Sequence, residues 1–105
     1  MKLIYDDKEI SLSVCNHFFN RLVGFMFKKK INEAKLFPHC NSIHTFFMIT
    51  NIDVLLLDKN NKILYYYNNF PKNKIILPKK KVNKVIELPV DYFKVKIGDI
   101  VKIDT

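Results

Sequence analysis

The stretch of sequence that decides the fold is residues 52–67, IDVLLLDKNNKILYYY. Its first six residues are apolar except for Asp53, which is typical of a strand covered on both faces. Residues 58–61 are Asp, Lys and Asn, a composition that favours a turn. Residues 62–67 return to long apolar and aromatic side chains that suit a strand. The pattern therefore predicts a β-hairpin with strands over 52–57 and 62–67.

Shorter β-type patterns lie on both sides of this hairpin. Ser11 and Ser13 alternate with apolar residues, as in a half-buried strand. The tripeptides at 6–8 and 97–99 have the composition of turns. These patterns predict five further strands, over residues 3–5, 10–14, 43–48, 84–88 and 100–103.

One segment has the periodicity of a helix instead. Asn16 is a favourable N-cap, and apolar side chains then recur at helical spacing as far as the lysines at 28–30. These features predict a helix over about residues 16–28. Gly24 lies inside this helix at a cost of about 1 kcal/mol relative to alanine. We expect it to allow another backbone to approach closely.

These elements predict a mainly β (α+β) fold. The 105 residues are enough for a single domain, 1–105, and too few for two. Hydrophobic residues make up 49% of the chain, which is enough to build a core. We expect a small β-sandwich or partly closed barrel of six to eight strands, with the helix covering one opening.

No segment has the composition of a targeting or membrane-spanning sequence. Asp6 and Asp7 interrupt the apolar residues 1–5, whereas a signal peptide needs roughly 7–15 apolar residues and a span about 20. We therefore expect no membrane span and a cytoplasmic location. In that compartment Cys15 and Cys40 are expected to be reduced thiols.

The net charge of +8 suggests an anionic partner. Residues 59–85 contain eight lysines and no acidic residue, with Tyr65–Tyr67 and Phe70 among them, a composition that can bind single-stranded nucleic acid. However, Arg21 is the one arginine among eighteen basic residues, and base recognition favours arginine. We favour a solvated lysine surface, with weak nucleic-acid binding through 59–85 as an alternative.

Charged residues inside apolar patterns form the first candidate site. Asp53 and Glu87 each interrupt a strand pattern, and Arg21 lies on the predicted helix. A buried carboxylate needs a partner, and arginine can offer it two parallel hydrogen bonds. We expect Arg21 to pair with Asp53 or Glu87 and so fix the helix to the sheet. The functional alternative is that Arg21 lines a pocket for an anionic ligand.

Cysteine and histidine residues form the second candidate site. Cys15, His17, His39, Cys40 and His44 supply enough ligands for tetrahedral zinc, but their spacing matches no standard zinc motif. A metal- or thiol-dependent enzyme that uses Cys40 and His44 as nucleophile and base is a further alternative. The chain contains no phosphate loop, dinucleotide motif or zinc-protease motif. We therefore expect no metal or other cofactor.

Short motifs in a fixed order resemble those of a known family. They are RLVGFMFK (21–28), LF (36–37), FFM (46–48), IDVLLLD (52–58), IELP (86–89) and GD (98–99). The set is similar to the motifs R-x-R-G-L-M-x-R, LF, FWM, LDLLFLD, LELP and GD of domain-of-unknown-function family 192, over about residues 12–103. Val23 and Lys28 stand where that family has arginine, and Phe47 where it has tryptophan.

The resemblance implies a compact β-rich fold with one helix and no established activity. We expect a non-enzymatic binding or accessory domain whose partner is a small molecule or a protein. Its pocket or contact surface is expected near the helix and residues 44–48. No residue is assigned a catalytic role, and the candidate ligand-binding or motif residues are Arg21, Gly24, Met26, His44, Phe47, Met48, Asp53, Glu87, Gly98 and Asp99.

Overall fold

The computed structural model describes residues 1–15, 31–45 and 48–105. The predicted helix over 16–28 lies outside these ranges, within which there is no helix long and apolar enough to cross a membrane. The described residues contain nine strands: β1 (Lys2–Tyr5), β2 (Lys8–Val14), β3 (Ala34–Pro38), β4 (Ile43–His44), β5 (Ile52–Leu57), β6 (Ile63–Phe70), β7 (Ile75–Ile76), β8 (Lys84–Leu88) and β9 (Lys102–Asp104).

The predicted hairpin is confirmed as β5 and β6, which pair antiparallel. Its turn is held by Asp58, whose carboxylate accepts hydrogen bonds from the N–H groups of Asn60 (2.8 Å) and Lys62 (3.0 Å). Asn61 has a φ of 65°, a left-handed conformation that asparagine tolerates better than most residues. The prediction ended the second strand at Tyr67, whereas β6 continues to Phe70.

Nine described strands exceed the predicted six to eight because β3 and β7 were not predicted. The β3 sequence AKLFP has weak strand character and becomes a strand because β2 and β8 pair on its two sides. The two-residue β7 similarly depends on its pairing with β4. The last strand begins at Lys102 rather than Ile100, which instead forms an isolated bridge to Lys62.

Seven strands form a curled sheet in the order β6-β5-β8-β3-β2-β1-β9, and β4 and β7 form a small second sheet. Hydrogen bonds link the chain before β9 to the start of β6. The Gly98 N–H donates to the Ile63 carbonyl and the Ile63 N–H donates to the Asp99 carbonyl, both at 2.8 Å. The sheet thereby curls into a half-barrel, which confirms the mainly β fold class.

Each face of the sheet carries its own apolar cluster, which explains why all six residues of β5 are buried. The first core contains Leu55 and Leu57, and the second core contains Val54 and Leu56. Adjacent residues on a strand point to opposite faces, so β5 contributes to both. Ile76 of β7 packs into the second core and thus places the small sheet on that face.

Candidate functional site

The two motif carboxylates that the sequence places in strands lie on opposite faces of the sheet. Asp53 pairs with Leu88 across β5 and β8, and Val54 pairs with Glu87. Directly paired residues share a face, so Asp53 lies with the first core and Glu87 with the second. The two carboxyls therefore belong to separate environments and cannot form one site. Arg21, their predicted partner, lies outside the described residues.

Asp53 is completely buried and is enclosed by hydrogen-bond donors. The Asn68 amide donates to both carboxylate oxygens (3.0 and 3.2 Å), and the Tyr66 hydroxyl donates to Oδ2 (3.1 Å). The backbone N–H groups of Asn69 (2.7 Å) and Asp91 (2.9 Å) complete the set. These contacts satisfy the buried carboxyl and join β5, β6 and the turn after β8. Asp53 therefore has a structural role.

The backbone around this carboxyl is shaped to supply its donors. Asn69 and Asp91 both have left-handed backbone conformations, with φ of 53° and 62°. This conformation is unfavourable for most residues but is tolerated by Asn and Asp. Burial, reinforced by the nearby charge of Asp53, raises the pKa of the Tyr66 hydroxyl to about 12. The hydroxyl thus stays protonated and donates to Asp53 over the ordinary pH range.

Glu87 is also buried, but its surroundings differ from those of Asp53. Its side chain is 4% exposed, and its Oε1 has no hydrogen-bond partner in the part of the chain that the structure describes. Burial raises the pKa of this carboxyl to about 8, against the lowering effect of Lys35. Lys35 lies opposite Glu87 across β3 and β8, and its ammonium is 3.0 Å from the Glu33 carboxylate.

The face around Glu87 also carries candidate residues from elsewhere in the chain. Val54 is its cross-strand neighbour, and Cys15 and Met48 are buried in the same second core. Met48 was expected at a contact surface, but only 6% of its side chain is exposed. Four further candidate residues lie outside the described residues: Arg21, Gly24, Met26 and Phe47.

Gly98 and Asp99, the closing motif, hold the two edges of the half-barrel together. Gly98 has a φ of 96°, which favours glycine, and it lies in the turn closed by the Asp99 N–H and the Lys96 carbonyl (3.1 Å). The Tyr5 hydroxyl at the end of β1 donates to the Asp99 carboxylate at 2.5 Å, and this bond raises the pKa of Tyr5. These residues therefore stabilise the fold.

The cysteine and histidine residues do not assemble into the alternative metal site within the described residues. No group of three His, Cys, Asp or Glu residues that could hold a metal ion occurs there, and His17 lies outside them. The Cys40 thiol donates to the Ser42 carbonyl at 3.0 Å, so its hydrogen is directed at a backbone oxygen. His44 is half-buried in β4, opposite Ile75.

The lysine-rich segment includes the connection between β6 and β8, residues 71–82, which we call the strap. Lysines occur in the strap before and after β7, and Lys79 places its ammonium 5.1 Å from the centre of the Tyr65 ring. Two exposed aliphatic residues of the strap, Ile75 and Leu77, were not among the predicted site residues. The run of three apolar residues at 75–77 within a lysine-rich stretch is the signal that could have identified them.

The protein is thus a small β-rich domain that forms a curled half-barrel with two buried motif carboxyls. Hydrogen-bond donors enclose the carboxyl of Asp53 but not that of Glu87. The model of domain-of-unknown-function family 192, described as uncharacterized ACR, matches residues 1–103. The chain belongs to this family, so the resemblance seen in its motifs is confirmed.

Relatives and solved structures agree with this assignment. The UPF0127 protein of Pyrococcus horikoshii is 30% identical over 112 residues, covering 95% of this chain and 96% of the relative. The UPF0127 protein of Thermococcus sibiricus is 33% identical over 84% of this chain, but the match spans only 62% of the relative's length. A crystal structure of a protein of unknown function from Novosphingobium aromaticivorans has the same fold, with a TM-score of 0.80 and 12% identity over 97% of this chain and 82% of that one.

Proposed function

We propose that this protein is a non-enzymatic binding domain in which Glu87 is the polar anchor of the ligand site. One observation carries the proposal. Of the four motif carboxyls, Asp53, Asp58 and Asp99 accept hydrogen bonds that hold the fold together, whereas Glu87 has a buried oxygen without a partner among the described residues. A buried polar group without a partner is costly, so its presence in the core favours a role in binding.

The protonation state of Glu87 indicates which chemical groups it would bind. With a pKa of about 8 the carboxyl is mostly neutral at pH 7 and offers both an O–H donor and a carbonyl acceptor. An amide presents the complementary donor and acceptor. A guanidinium or ammonium group would instead bind the ionised carboxylate and displace its proton. The ligand is therefore a small molecule or a segment of a partner protein that carries a nitrogen donor. The pH dependence of its binding shows whether that donor is neutral or charged.

The structural alternative is that Arg21 of the same chain is that nitrogen donor. In that case the Glu87 carboxyl would be ionised in the folded protein at neutral pH, because a guanidinium partner lowers a carboxyl pKa. It would also be saturated, so that no added donor would shift its NMR signal. The ligand hypothesis predicts a protonated carboxyl that responds to added donors.

The test follows the side-chain carboxyl ¹³C signals of labelled protein during titration with acetamide and with methylguanidinium. We expect the Glu87 signal to shift in wild type, and the signal of Glu9, an exposed glutamate on β2, to remain in place. Glu87→Gln should remove the responsive signal while Glu9→Gln leaves it. An unresponsive Glu87 signal in wild type, or equal responses from the two glutamates, would contradict the proposal.

Native mass spectrometry of freshly purified protein extends the test to natural ligands. A bound small molecule that is retained by wild type and by Glu9→Gln but lost from Glu87→Gln supports the ligand site. If the Glu87→Gln variant retains the molecule as wild type does, the molecule binds elsewhere.

A further inference from the structure

The strap presents an apolar pair to solvent on the outside of the small sheet. Ile76 of β7 points into the second core, while its neighbours Ile75 and Leu77 are 55% and 65% exposed. Leu77 directly follows β7, and the order exposed, buried, exposed over residues 75–77 indicates that Ile75 and Leu77 project on the side away from the second core. Exposed aliphatic pairs of this kind mark candidate contact surfaces.

Hydrogen bonds fix both ends of the strap to the rest of the fold. Thr45 is buried; its N–H donates to the Lys74 carbonyl (2.8 Å), and its hydroxyl accepts from the Lys74 N–H (2.9 Å) and donates to the Pro71 carbonyl (2.8 Å). Directly after the other end, the Asn83 N–H donates to the Leu57 carbonyl at 2.8 Å. These hydrogen bonds therefore hold the backbone of the strap in the position that exposes Ile75 and Leu77.

Lysines flank this apolar pair in the sequence. Lysines stand on both sides of β7 and most are exposed: Lys72, Lys74, Lys79, Lys80 and Lys81. No acidic residue occurs between Lys59 and Val85. The surface thus combines two aliphatic side chains with a cluster of ammonium groups that no carboxylate of the same segment neutralises.

We propose that the outer face of the strap is a contact surface for bilayers that contain anionic lipid. Ile75 and Leu77 would enter the boundary between headgroups and acyl chains, and the lysines would lie against the lipid phosphates. In this arrangement the aliphatic side chains and the lysines each contact a complementary part of the bilayer. The proposal is independent of the ligand site at Glu87.

Nucleic acid is the other polyanion that a lysine cluster attracts, but the apolar part of the strap does not suit it. Single-strand binding relies on exposed aromatic faces, on which bases stack. The exposed aromatic residue near the strap, Tyr65, is already approached by the ammonium of Lys79 at 5.1 Å. Ile75 and Leu77 offer no stacking face. These observations favour the bilayer over nucleic acid.

Vesicle flotation of the full chain tests the proposal. The vesicles contain phosphatidylcholine with or without about 30% phosphatidylglycerol, at low and high salt. We expect wild type to float with anionic vesicles at low salt and to bind neutral vesicles at least tenfold less. Ile75→Ser/Leu77→Ser should lower binding at least tenfold. Lys80→Gln/Lys81→Gln should lower it about 25-fold, since each lysine is worth roughly a fivefold change.

The matched control is Ile97→Ser/Ile100→Ser, which removes two equally exposed isoleucines, at 61% and 67%, from the segment before β9. It should bind as wild type does, and circular dichroism melts identify any variant that fails to fold. The proposal is overturned if wild type does not bind anionic vesicles at low salt, or if the strap and control variants behave alike. It is also overturned if a fluorescent single-stranded oligonucleotide outcompetes the vesicles and binds Ile75→Ser/Leu77→Ser unchanged.

Discussion

Glu87 lies opposite Lys35 in the register of β3 and β8, while the Lys35 ammonium is 3.0 Å from the Glu33 carboxylate. The attraction of Lys35 for Glu87 is weaker than the effect of burial, which raises the pKa of Glu87 to about 8. Glu87 is therefore a buried acid that is largely protonated at neutral pH, in contrast to the fully hydrogen-bonded carboxyl of Asp53 on the opposite face.

The raised pKa of Glu87 makes stability depend on pH. The folded protein holds this proton more tightly than the unfolded chain, where the pKa is near 4.5. The contribution of Glu87 to the free energy of unfolding is therefore intact below about pH 4.5 and is lost as the pH rises through about 8. We expect a loss on the order of 4 kcal/mol by pH 9. Urea unfolding across this range measures it, and Glu87→Gln should flatten the curve. Parallel curves for the two proteins would show that Glu87 does not titrate in this range.

Removing the carboxyl of Asp53 leaves several buried donors without an acceptor. Asp53→Ala should lower the free energy of unfolding by about 3–5 kcal/mol, and Asp53→Asn, which keeps one acceptor oxygen, by about 2 kcal/mol. Asp104→Asn, an exposed change in β9, should stay within about 0.5 kcal/mol of wild type. Chemical denaturation of the three variants checks the order. Similar stabilities for Asp53→Ala and Asp104→Asn would refute the structural role.

The bond between Tyr5 and Asp99 links β1 to the turn before β9. Tyr5→Phe removes the donor but keeps the ring that packs edge-on against Phe93 at 5.8 Å. It should cost about 1 kcal/mol of stability. Tyr65→Phe, at an exposed ring, should cost less than about 0.5 kcal/mol. Thermal melts compare the two, and equal melting temperatures would mean that the Asp99 bond does not stabilise the half-barrel.

The substitution Gly98→Ala tests the effect of backbone strain on stability without a change in packing. Apart from Gly98 itself and its two chain neighbours, no heavy atom lies within 4 Å of the position that a Cβ would occupy, so Gly98→Ala creates no clash. Its φ of 96° is nevertheless unfavourable for alanine, and we expect a loss of about 1–2 kcal/mol. The neighbouring change Ile97→Ala, at an exposed side chain, serves as the control in the same denaturation assay. A neutral Gly98→Ala would show that the turn relaxes.

Local patterns predicted the elements whose structure is decided locally. The hairpin of β5 and β6 combines an apolar run with an Asp-Asn turn, so its signal lies within adjacent residues. β3 and β7 depend on pairing with strands distant in sequence, and their own residues carry little β preference or too short a run. Pairing with distant strands therefore determines the strand structure of β3 and β7, because the local sequence of these segments is not sufficient.

The candidate site was predictable to a similar extent. Asp53 and Glu87 stood out as charges within apolar strands, and both are buried. Their separation onto opposite faces follows from the β5–β8 register, which no single-strand pattern contains. The donors around Asp53 depend partly on the left-handed backbones of Asn69 and Asp91. Composition alone does not reveal such geometry.

The proposed binding site is tested most directly by the pKa of Glu87, measured from its side-chain carboxyl ¹³C shift during a pH titration of the folded protein. The proposed site predicts a midpoint of about 8 for Glu87. A Glu87 midpoint at or below the ordinary value of 4.5 would show an ionised, partnered carboxylate and would contradict the proposed binding site.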